Sequence, residues 1–99
     1  MPYIRPELRN KVDVEIDALS KAIIATADED SIEGILNYTF TSLLSTITLS
    51  SKPSWRYKLI NRVMGMLECV KFEFYRRLAG PYEDKAIKSN GDISTYDSF

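Results

Sequence analysis

The stretch Ser54–Leu78, SWRYKLINRVMGMLECVKFEFYRRL, constrains the fold more than any other part of the chain. It contains no proline and a single glycine, Gly65, and Gly80-Pro81 follows after Ala79. A run of this length without a breaker predicts one helix of about seven turns, with Ser54 as its N-cap and Gly80-Pro81 as its stop. Stepping by about 100° per residue divides it into faces. Leu59, Ile60, Val63, Leu67, Val70, Phe74 and Leu78 fall on one side at the three–four spacing of a packed seam. Tyr57, Asn61, Met64, Glu68, Lys71 and Tyr75 run along one edge of that stripe. Glu68 and Lys71 are surface neighbours there, with Tyr75 a turn further on. Charges beside an apolar stripe are paired or partly wet, because desolvating a lone charge is costly. The row therefore reads either as a structural ion pair or as the wall of a ligand pocket. On the far side, Met66, Cys69 and Phe72 stand among Arg62, Glu73 and Arg76, and Gly65 leaves room for a second backbone. That side hints at a subunit interface.

The remaining segments predict shorter helices. Pro2 and Pro6 disfavour helix in the residues before them, so residues 1–5 are expected to be extended, with Pro6 opening a helix. Val12, Ile16, Leu19, Ile23 and Ala27 step by four and three, giving an amphipathic helix that ends at Asp28-Glu29-Asp30. A break near Lys11 would leave Asp13 to recap it. The three carboxylates read as a solvated loop rather than a metal site. Asp30 with Glu33 fits a capping-box variant for a second helix carrying Ile32, Leu36, Phe40, Leu43, Leu44 and Ile47. Its segment TFTSLLSTITLS has strand propensity, but no partner strand is evident, so helix is expected. Tyr82–Lys88 should add one or two turns, and Asn90-Gly91 is a turn signal.

These segments make an all-α protein: a small bundle of three main helices with a short C-terminal helical or extended piece. Residues 1–93 are expected to form a single helical domain, and 94–99 a mobile tail. At 99 residues only a thin core is feasible, and the long helix exceeds what two shorter ones can cover, which favours self-association. One cysteine excludes an internal disulfide framework and suits a reducing compartment. The start, MPYIRPEL, lacks the pattern of a signal peptide, and hydroxyls interrupt the uncharged run 34–51 too often for a membrane span. A cytoplasmic protein is expected.

The sequence offers little catalytic machinery. It contains no histidine, which removes the usual general base and the commonest metal ligand. Cys69 has no histidine partner and is expected to be a buried bystander, and no glycine-rich phosphate loop is present. Neither catalysis, a metal nor a cofactor is expected. Binding chemistry is better represented. Six tyrosines occur, several beside a cation: Tyr3 with Arg5, Tyr57 with Arg56 and Lys58, Tyr75 with Arg76 and Arg77. A flat phenol and a guanidinium fork together suit a small anionic aromatic ligand such as a nucleotide. The candidate ligand-binding residues are Asn37, Tyr38, Tyr57, Asn61, Glu68, Lys71, Tyr75, Arg76, Arg77 and Tyr82. Single-stranded nucleic acid could use the same chemistry, but a net charge of −1 counts against it.

The chain resembles a family of short proteins of unknown function found in tailed phages and bacteria. The resemblance rests on MPYI at the start, Leu36-Asn37-Tyr38, and Asn61 with Gly65. It continues through Leu67-Glu68-Cys69, Lys71, Glu73 to Arg77, Pro81 to Lys85, and Asn90-Gly91-Asp92. It implies a phage or prophage setting in the bacterial cytoplasm, where small proteins often counter host defence, some by sequestering nucleotide signals. Two functional expectations follow. One is a homo-oligomer that binds a nucleotide-like ligand. The other is an oligomeric protein that docks onto a host or phage protein with no small ligand.

Overall fold

A computed structural model describes residues 4–50 and 56–96. The protein is all-α, and no strand occurs among the described residues. The chain divides into two compact units, Tyr3–Val63 and Met64–Phe99. Their boundary falls inside one helix.

In the first unit, Arg5 is extended, and the Arg9 Nε–H donates to the Ile4 carbonyl at 2.8 Å. Pro6 then opens α1 (Pro6–Arg9), where its missing N–H costs nothing. The chain breaks over residues 10–12, as the sequence predicts near Lys11, and restarts as α2 (Asp13–Thr26). Asp13 does not recap it: Val12 occupies the cap position, and no side chain caps the helix.

The turn between α2 and α3 (Ile32–Ser50) corrects a second expectation. The capping box is built by Asp28 and Ser31, not by Asp30 and Glu33. Asp28 Oδ1 accepts the Ser31 N–H at 2.9 Å and the Asp30 N–H at 3.1 Å, while Ser31 Oγ accepts the Asp28 N–H at 2.9 Å. Reciprocal bonds of this kind satisfy donors that the first helical turn would leave orphaned. They also explain the carboxylate cluster, since Asp28 serves the backbone rather than a cation. Along α2 and α3 the hydroxyls turn inward on their own helix: Thr26 Oγ1 donates to the Ala22 carbonyl at 2.8 Å, and Thr39 Oγ1 to that of Ile35 at 2.7 Å. Bonds of this kind satisfy the hydroxyls within the helix rather than against a partner.

Helix α4 (Tyr57–Phe74) carries the organising stretch. The expected N-cap, Ser54, lies outside the described residues. At its other end the expectation of a stop at Gly80-Pro81 is overturned. Tyr75–Ala79 widens into a π-helical turn, in which the Gly80 N–H donates to the Tyr75 carbonyl five residues back. The chain then continues as α5 (Gly80–Asn90), with Pro81 in its first turn. In an unbroken α-helix Pro81 would orphan the Arg77 carbonyl and its ring would press against it. A one-residue widening moves the preceding carbonyls out of the ring's way, and the proline falls where a helix start tolerates it. The real stop is Gly91, whose φ of 83° few other residues adopt, and a 3₁₀ turn follows at Ser94–Tyr96.

No side chain is buried among the described residues. The α4 stripe expected to form a packed seam is open: Phe74 is 67% exposed, Leu78 58% and Val70 57%. Cys69, expected to be buried, is also exposed.

The Asp28–Ser31 box generates a pH-dependent prediction. The Ser31 hydroxyl, then the Ser31 backbone N–H, hold the Asp28 carboxyl below its ordinary range. A depressed folded value stabilises the fold at pH above the ordinary carboxylate range and loses that effect as the pH falls through the folded value. Asp28→Ala should lower the melting temperature by a few degrees at pH 7. The deficit should shrink below about pH 4, as melts of both proteins across the acid range would show.

Candidate ligand-binding site

Helical continuity through Pro81 creates a surface that a stop at Gly80 would have removed. Steps of three and four carry the Lys71–Tyr75 edge onward, so Lys71, Phe74, Tyr75, Leu78, Ala79, Tyr82 and Glu83 line one open groove of about 520 Å³. Its walls are mostly apolar. Lys71 stands at one end and Glu83 at the other.

The Tyr75 hydroxyl donates to Glu83 Oε2 at 2.8 Å, bridging the π-turn from the end of α4 to α5. The Glu83 carboxylate, first by accepting this hydrogen bond and then by its charge, raises the Tyr75 phenol above its usual range. The phenol donates to this carboxylate, which lines the groove. Lys71 is held more loosely: its Nζ lies 3.9 Å from Glu68 Oε1, and both side chains are well exposed. An exposed pair at that separation adds little stability and leaves the ammonium able to take another anion.

A second hollow, of about 550 Å³, lies along α3 in the first unit and is lined by Glu33, Gly34, Asn37, Tyr38, Thr41 and Ser42. Here the Thr41 hydroxyl donates weakly to Asn37 Oδ1 at 3.5 Å, a bond that does not use the amide N–H₂.

Residues 1–93 match the model of an uncharacterised family, a domain of unknown function designated DUF6899. The chain belongs to that family. No curated protein and no solved structure matches it. Membership supplies no reaction to carry over, so the site rests on the residues this member presents.

Of the ten candidate residues, Lys71, Tyr75 and Tyr82 meet in the groove of the second unit, and Asn37 and Tyr38 share the α3 hollow of the first. Tyr57 and Asn61 stand exposed on α4 within the first unit, and Glu68 is engaged with Lys71. Arg76 and Arg77 line neither hollow. Both turn to Glu73: Arg76 Nη2 reaches its two carboxylate oxygens at 2.9 and 3.2 Å, and Arg77 Nη1 lies 3.7 Å from Oε1. Glu73 is the least exposed acid in these pairs, so this cluster is the firmer ionic anchor of the helix.

Glu83 lines the groove but is not among the ten candidate residues. The expected stop at Gly80 separated Tyr82–Lys88 from the long helix, and it is the π-turn at Tyr75–Ala79 that brings Glu83 within reach of Tyr75. Among the described residues no group of histidine, cysteine, aspartate or glutamate is arranged to hold a metal ion. No helix of the described chain is long and apolar enough to cross a membrane.

The Tyr75–Glu83 bond is testable by alkaline titration. A raised folded value stabilises the fold below the unfolded tyrosine value, near pH 10, and that effect is lost as the pH rises through the folded value. Subtracting the ultraviolet titration of Tyr75→Phe from that of the parent should leave one phenol ionising above pH 10. A difference curve centred at the ordinary value would refute the bond.

Proposed function

We propose that this chain is a subunit of a helical homo-oligomer that binds a nucleotide-like anionic ligand and holds it without transforming it. The observation that supports this most is the groove on the second unit. Two tyrosines and a phenylalanine line it beside a lysine that lies 3.9 Å from the carboxylate of Glu68. Aromatic faces suit stacking on a base, and an ammonium at one end suits a phosphate. In the phage setting that the sequence resemblance implies, a binder without catalytic groups would act by withdrawing a nucleotide signal from a host defence. Packing of the three main helices as a bundle, with those of neighbouring subunits, would cover the open stripe on α4 and enclose the ligand between subunits where Phe74 and Leu78 line the groove.

Thermal melting against mono-, di- and cyclic nucleotides tests the reading. A ligand at a hundred times its dissociation constant adds about 2.7 kcal/mol, enough for a rise of several degrees in a domain of this size. Lys71→Ala and Tyr82→Ala should each weaken binding at least tenfold while leaving the helical content unchanged. Full affinity in both variants would place the site elsewhere.

A second reading has its own support. Exposed Met66 and Phe72, on the far side of α4, would equally serve a docking surface for a host or phage protein with no small ligand. A folded oligomer that no nucleotide stabilises would favour it.

A further inference from the structure

Resting on the homo-oligomer proposed above rather than on its ligand, we infer that the groove face running from α4 into α5 is where two copies meet. The helix of one copy lies antiparallel on that of the other, about a two-fold axis near Arg77. Leu67, Lys71, Tyr75, Ala79, Glu83 and Ile87 follow one another at steps of four. In an α-helix such a row drifts by about 40° with each step and winds off the face. The π-turn at Tyr75–Ala79 takes up one residue, so the path from Lys71 to Glu83 turns less and leaves the two within about 20° of each other. Both line the same groove, and the 2.8 Å hydrogen bond from Tyr75 to Glu83 follows from the same alignment.

Read along the row, the side chains are apolar, positive, aromatic, small, negative and apolar. A two-fold axis exchanges the halves of such a row, since in a self-complementary interface the contacts are reciprocal. Turned end for end, it sets Lys71 of each copy opposite Glu83 of the partner subunit. Tyr75 then faces Ala79, a large ring against a small side chain, and Leu67 faces Ile87. A parallel pair would set lysine against lysine and glutamate against glutamate, an arrangement that like charges oppose. Phe74, Leu78 and Tyr82, open to water in the single chain, lose that exposure between the two helices. The groove gains its second wall from the partner copy. The Lys71 ammonium has three N–H donors, so pairing with the partner's carboxylate leaves donors for the phosphate of a bound ligand.

Charge reversal with complementation tests this register, read as the self-association constant by sedimentation equilibrium. Lys71→Glu and Glu83→Lys each set like charges opposite one another at both ends, and each alone should weaken self-association at least tenfold. An equimolar mixture of the two variants should assemble as tightly as the parent, because in the mixed pair every lysine again faces a glutamate. Recovery on mixing also shows that both variants fold. Parent-like assembly of either variant alone, or no recovery on mixing, would overturn the antiparallel face and leave an oligomer through another face standing. A parent chain that stays monomeric at every concentration would overturn both.

Discussion

Covering apolar surface is the constraint on which everything else in this chain depends. Ordering a residue costs about 1–2 kcal/mol of backbone entropy, and a domain recovers that cost chiefly by removing apolar area from water. Here the helical ladders are complete, yet none of the described side chains is buried, and phenylalanine, leucine and valine stand open along α4. Helices of 14 to 19 residues are marginal in water without tertiary packing. The proposed oligomer answers that need directly. In it, folding and assembly are one process, and the stripe along α4 becomes interior only when other subunits supply the opposing face.

The second organising feature is the π-turn at Tyr75–Ala79. By accommodating Pro81 it turns what would be two helices and a corner into one continuous path from Tyr57 to Asn90. Continuity is what aligns Lys71, Tyr75, Tyr82 and Glu83 along one groove, and the Tyr75–Glu83 bond spans the widened turn. Single π-turns inserted in α-helices are rare and concentrate at functional sites. This one lies in the groove wall.

Much of the helical layout was legible because local chemistry decides it. Pro6 can open a helix but not sit inside one, the apolar spacing of α2 and α3 is helical, and Asn90-Gly91 supplies the left-handed residue that ends α5. Two features were not legible, and for different reasons. Proline reads as a stop because it cannot join an α-helical ladder, and a π-turn evades that rule by changing the ladder. The Asp28–Ser31 box was hidden among neighbours of equal capping ability, where only backbone geometry selects the winner. The candidate site inherits the first error. Lys71, Tyr75 and Tyr82 could be read from the periodicity of the helix, whereas Glu83 could be placed only once the helix was known to continue. Arg76 and Arg77 matched the chemistry of phosphate binding, yet Glu73, three and four residues before them, holds both. Side-chain type alone does not say which of two anions an arginine will meet.

The central physical claim is that this chain folds by assembling. Sedimentation velocity combined with thermal melting over a hundredfold range of protein concentration tests it most directly. The expected result is a species whose mass is a multiple of the 11.3 kDa chain, with a melting temperature that climbs as concentration rises. A monomer of that mass, cooperatively folded and melting at one temperature across the whole range, would contradict it.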